Sequence, residues 1–190
     1  SAMICGSENE IGDSTSSNLA IVGFNNNLTG DKMLIVGQGN DVDGEKAGHV
    51  NTASLIVGTT ISIAKDATQD GTVINSVVSG QNHSISHILR RSNISGIGHA
   101  LDIDSSNIIV GGSNNVVGGS NNLVSGSNNE VEHVNTAFVF GFNNDVIKTG
   151  IAGAVNTYGT VVTGFNNSLE GLTFGQAMAV FGRDNIIAGT

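Results

Sequence analysis

Few side chains in this sequence are equipped for chemistry. His83 and His99 could offer two imidazoles to a metal ion. No carboxylate or thiolate accompanies them, so they read as turn residues and no metal is expected. Phe24, Phe142 and Phe165 each follow a glycine in a Phe-Asn-Asn segment, where an aromatic ring could anchor a ligand or pack across a turn. Tyr158 is the only tyrosine, and Arg90-Arg91 the only adjacent basic pair, able to meet an acidic partner or simply to occupy a solvated turn. The candidate ligand contacts are therefore Phe142, Phe165, Tyr158, Arg90 and Arg91. The acidic residues are scattered, and no Ser-His-Asp grouping is brought together by the pattern described below. A polysaccharide-cleaving scaffold would show aromatic and basic clefts, whereas this chain has one Tyr and seven Lys plus Arg. The expectation is no enzyme, no catalytic residue and no cofactor.

Composition bounds the rest. The 190 residues include 27 Gly and 24 Asn, no Pro and no Trp, and only 12% are charged. Gly and Asn are poor helix formers and favour turns, so the chain must turn often. Its aliphatic content still supports a core, which argues against disorder. A net charge of −9 leaves no basic footprint for nucleic acid and disfavours anionic lipid. No apolar run reaches the ~20 residues of a membrane span. The single Cys5 excludes an intramolecular disulfide and, on this reading, lies outside the patterned region. Ser1-Ala2-Met3 reads as a cloning scar, and residues 1–17 as that scar plus an N-terminal cap.

The turns are periodic. Gly-Ser-Asn-Asn begins at Gly112, Gly119 and Gly126, and Gly-Phe-Asn-Asn at Gly23, Gly141 and Gly164. Aligning on Gly23, Gly37, Gly58, Gly80, Gly96, Gly112, Gly126, Gly141, Gly164 and Gly182 gives ten units within 18–190. Two residues before the glycine stands Ile or Val, and five after it an aliphatic residue, in every unit. Three after it stands Asn in seven units, with Ile61, His83 and His99 in the others. Asn there suits a left-handed tight turn, and stacked Asn side chains can hydrogen-bond in a ladder, the functional rival being a sugar-binding row. The apolar positions recur every seven residues in the tightest units, which would suit a coiled coil. A Gly and an Asn pair in each heptad rule out stable helix. Seven residues fit a short strand and a turn, and two such pieces make one coil of a solenoid rising ~4.8 Å per turn.

The strand before each glycine is a continuous apolar run, as in Leu34-Ile35-Val36 and Phe138-Val139-Phe140, the mark of burial on both faces. The strand after it alternates, as in Glu130-Val131-Glu132. Residues alternate along a strand, so Val139 and Val180 should point into the roll. Val22, Val36, Val57, Phe138, Phe140 and Phe181 should point outward, toward other copies of the chain, with Ser79, Ser95, Gly111 and Ser125 between them. The shared axis should therefore be apolar at both ends and lined by small or polar groups centrally. A stripe of that size calls for a partner, and self-association is the expectation.

Taken together, these units resemble the heads of YadA-like trimeric autotransporter adhesins, most closely over 112–131. The resemblance spans about 18–190 in spacing, although the family usually has Ala or Ser where this chain has Ile or Val before the glycine. It implies an all-β, left-handed parallel β-roll of about ten coils of 14–23 residues, assembled as a homotrimer. It further implies a non-enzymatic adhesin head at the bacterial cell surface, carried by a stalk and an outer-membrane anchor. The partners would be a host receptor, matrix protein or neighbouring bacterium. The other reading is a structural spacer, such as a segment of a phage tail fibre or spike, with no ligand of its own. Extra length falls after the second aliphatic position, in insertions 43–53, 64–76 and 147–159, which would serve as binding loops or as braces. The likeness of His49-Val-Asn-Thr-Ala to His133-Val-Asn-Thr-Ala favours bracing as much as binding.

Overall fold

The computed structural model describes residues 2–11, 18–42, 52–63, 72–86, 88–101, 105–147, 159–170 and 177–188. It is an all-β parallel solenoid, with no helix among the described residues. The strands that carry the aligned glycines stack into an eleven-stranded front sheet. Every pairing is parallel, and glycine lies beside glycine from rung to rung, as in Gly112 beside Gly126 and Gly126 beside Gly141. The short strands five residues on form a back sheet.

The eleventh front strand corrects the reading of the N-terminus. Ala2–Ser7 pairs with Leu19–Phe24, setting Gly6 beside Gly23, and Glu10–Ile11 pairs with Asn27–Leu28. Ile4, Gly6, Asn9 and Ile11 thus meet every column of the repeat. Cys5 is inside the pattern, exposed and paired with Val22.

Side chains from both sheets fill the interior. Ile21, Ile35, Ile56, Val110 and Val139, two before their glycines, are fully buried, as are Leu28, Val42, Val117 and Val146, five after. Two left-handed residues recur from coil to coil. Two positions after the glycine, φ lies between 52° and 68° in all eleven rungs, most often at Asn. The left-handed turn expected at the third position falls at the second, and the third-position side chain turns inward into the expected ladder. The second left-handed residue stands five before the glycine, as in Asn75, Asn107 and Asn121.

Thr60 occupies the first of these corners at φ 55°. A β-branched residue is strained there by ~1 kcal/mol or more. Thr60→Asn should therefore stabilise the chain by about 1 kcal/mol in urea unfolding. An unchanged or lower midpoint would contradict the strain argument.

Some of the added length becomes structure. Thr72–Ile74, at the end of insertion 64–76, pairs with Ile88–Arg90, which pairs with Ser105–Ser106. That wall continues through Gly119 and Ser120 to Val134 and Asn135, giving the middle coils a third side. The two similar pentapeptides are not equivalent in place. Ala53 is left-handed, whereas in the second it is Thr136, one residue before Ala137. The remaining parts of the insertions, 43–51, 64–71 and 148–158, lie outside the described residues.

Candidate interaction surface

Two interior ladders set how firmly one rung locates the next. In the first, Asn26 donates from Nδ2 to Asn9 Oδ1 at 2.9 Å and to the Gly37 carbonyl at 2.9 Å. Its own Oδ1 accepts the Asn40 amide N–H at 3.2 Å and Asn40 Nδ2–H at 2.9 Å. The same scheme links Asn115, Asn129, Asn144, Asn167 and Asn185. These carboxamides are spent on the fold and do not form a sugar-binding row. His83 and His99 belong to this ladder. Each Nδ1 accepts the next rung's amide, from His99 and Asn115 respectively, both at 3.2 Å. Each Nε2 meets a carbonyl, of Ser79 at 2.8 Å and Ser95 at 2.9 Å, which makes Nε2 the protonated nitrogen. The rings stack with centroids 5.0 Å apart. Burial lowers both pKa values from 6.5, against a smaller raising effect of the carbonyl bonds. Neither ring keeps a lone pair for a metal, and no group of three ligating side chains is placed around an ion among the described residues.

The second ladder was not read from the sequence. Ser54 Oγ accepts the Ser76 amide at 3.2 Å, Ser76 Oγ that of Ser92, and Ser92 Oγ that of Ile108, both at 3.1 Å. Asn122 takes over the role for Ala137 at 2.8 Å. A signal was present, since Ser54, Ser76 and Ser92 all stand four before a glycine. Serine is too common in turns for that column to stand out without its partners.

The outer face of the front sheet carries the chain's unusual surface. It is made by the residues one and three before each glycine and one after. Val139 and Val180 point inward, at 0% and 4% exposure, while Phe140 and Phe181 point outward, at 38% and 66%. Val22, Val36 and Val57 are half-buried on the same outer face, and Phe138 is exposed there. All six outward residues named from the sequence therefore share one face, joined by Leu34, Val77, Ile97 and Ile109. Across the three outer columns Arg183 is the only charge. The back sheet contrasts with this, because Glu10, Asp41, Glu130 and Asp145 stand on its outer positions.

Two of the candidate ligand contacts meet. Phe142 and Phe165 stack at 5.2 Å, and the Arg183 guanidinium lies 5.1 Å from the Phe165 ring centre. Each ring face so used is closed to a ligand, and both residues stay partly exposed. Arg90 is half-buried in the third wall and Arg91 holds its left-handed turn at φ 49°. The structure does not bring this pair to the phenylalanines, and Tyr158 lies outside the described residues. Set against protein-family models, curated proteins and solved structures, the chain matches none.

Proposed function

We propose that the front sheet's outer face is where three copies of this chain assemble about one axis, and that the assembly is a non-enzymatic adhesin head at a bacterial cell surface. The observation that carries the reading is the near-absence of charge from this outer face on a strongly acidic chain. Apolar side chains such as Val36 and Phe140 stand toward its ends, with Ser79, Ser95, Gly111 and Ser125 along its middle. Eleven strands at ~4.8 Å by five residues at ~3.3 Å give a face of about 800 Å². That is the share each partner contributes to a typical stable interface, about 800 Å². The acidic back sheet would then face outward, with the insertions, toward a host receptor, matrix protein or neighbouring bacterium. Attachment through a stalk and an outer-membrane anchor belongs to the same proposal.

Sedimentation equilibrium tests the assembly, and a glycan, matrix-protein and cell-receptor array tests the adhesion. A stable monomer would overturn the first. A trimer that binds no surface would leave the spacer reading in place of the second. Within a trimer, Phe140→Ala should cost about 3 kcal/mol or more per chain, as for a core aromatic. Phe142→Ala, at the edge of the same face and stacked on Phe165, should cost less than Phe140→Ala. Equal losses at the two sites in unfolding measurements would show that Phe140 does not face the axis.

A further inference from the structure

We infer that His83 and His99 form a proton-sensitive joint in the middle of the solenoid, at which acid opens one corner of the coil while the other corner holds. Everywhere else along the first ladder, the polar links come from carboxamides, which do not titrate. The Asn9, Asn26, Asn40 series ends on the Ile61 amide, and Ile61 brings no side-chain acceptor to the next rung. From there to Asn115, the side-chain acceptors are imidazole Nδ1 atoms alone. A proton on Nδ1 turns that acceptor into a donor and sets N–H against N–H. With both rings charged, two cations would stand face to face at 5.0 Å.

Nothing on the packed elements offsets that charge. The strands around the pair are Leu55–Thr59, Ser62–Ile63, Val77–Gln81, Ser84–Ile85, Asn93–Ile97, Ala100–Leu101, Ile109–Ser113 and Val116–Ser120. They contain no Asp, Glu, Lys, Arg, Cys or Tyr, so each imidazole faces only the other as a titratable group. The described charged residues of the same coils, Arg90 and Arg91, follow in the third wall and its turn and are cations. His87, Asp102 and Asp104 lie outside the described residues. The opposite corner is tied by the Ser54, Ser76 and Ser92 hydroxyls, which do not titrate in this range.

The direction follows from burial, which lowers both pKa values below 6.5 in the folded chain. The unfolded or locally opened chain therefore binds protons first as the pH falls. The pair's contribution to stability is complete above about 6.5 and is lost as the pH drops through the folded-state values.

Amide hydrogen exchange read residue by residue at pH 7.5 and pH 5 tests the joint, with protection corrected for intrinsic exchange. Protection of the His99 and Asn115 amides should fall about tenfold at pH 5, the effect expected when a buried amide loses its hydrogen-bond acceptor. The Ser92 and Ile108 amides should keep theirs. In the H83N/H99N variant, which restores the residue found in most other rungs, the fall should vanish. The inference is overturned by unchanged protection, by equal loss at both corners, or by the same loss in the variant. Should the double variant not fold, imidazole nitrogen shifts of the unmodified chain decide. Proton uptake on Nδ1 must track the loss of His99 and Asn115 protection, and uptake without that loss refutes the joint.

Discussion

Gly126→Ala is expected to destroy the cooperative fold. The aligned glycines hold φ between 105° and 153°, a region L-residues rarely enter. A Cβ built on Gly126 would fall onto the carbonyl oxygen of Gly141 in the next rung. The neighbour in question is backbone within a parallel sheet, so relief requires separating two rungs and breaking the ladder beside them. The cost should exceed about 4 kcal/mol, the range reserved for clashes with no room to relax. Gly39 provides the contrast. It occupies a left-handed corner at φ 63° with nothing within 4 Å of an added Cβ, and Asn stands at the same corner in other rungs. Gly39→Asn should change stability by less than about 1 kcal/mol. Urea unfolding of the two variants separates a column that excludes side chains from one that merely needs positive φ. A cooperative transition near the parent midpoint for Gly126→Ala would refute the stacking geometry.

The second large effect is expected from the buried carboxamides. Asn129 Oδ1 accepts from the Asn144 amide at 3.1 Å and from Asn144 Nδ2 at 2.9 Å, and its Nδ2 reaches Asn115 Oδ1 at 3.0 Å and the Gly141 carbonyl at 3.1 Å. Asn129→Leu keeps a similar branched outline but leaves the Asn144 amide and one Asn144 Nδ2–H without their acceptor and removes a donor from two acceptors. At ~1–3 kcal/mol for each unsatisfied group, the loss should reach about 3–5 kcal/mol. Asn129→His should cost about half as much, because an imidazole can accept the next amide and donate to a carbonyl as His83 and His99 do. The Asn129→His variant should also lose stability below pH 6.5, for the reason given for the native pair. Equal losses for Leu and His at neutral pH would mean that hydrogen bonding is not what this column supplies.

Much of the architecture was legible because a parallel solenoid repeats one local problem. An Ile or Val two before each glycine and an aliphatic residue five after it had to be interior, since any other phase would alternate them into solvent. The same alternation placed Phe140 outward and Val139 inward. The first rung was missed for a local reason. Residues 2–11 carry Gly6-Ser7-Glu8-Asn9, where Glu8 fills the corner usually held by Asn, and seventeen residues separate Asn9 from Asn26. Reading the leading residues as a scar then hid a unit that matches in every column.

Spacing between apolar residues settled the strand period, the inward columns and the uncharged outer face, because burial leaves its mark on residue type. Hydrogen-bond roles left a mark only in part, since the Asn column pointed to a ladder without separating it from the turn. Asn is suited both to a left-handed corner and to a ladder, and adjacent Asn residues divide the two tasks. That division became visible once the backbone showed the second position after the glycine at positive φ and the third turned inward. The serine ladder and the third wall depend on contacts between rungs 14 to 22 residues apart. At those separations varying insertions shift the sequence register, and the stacking of coils restores it in space.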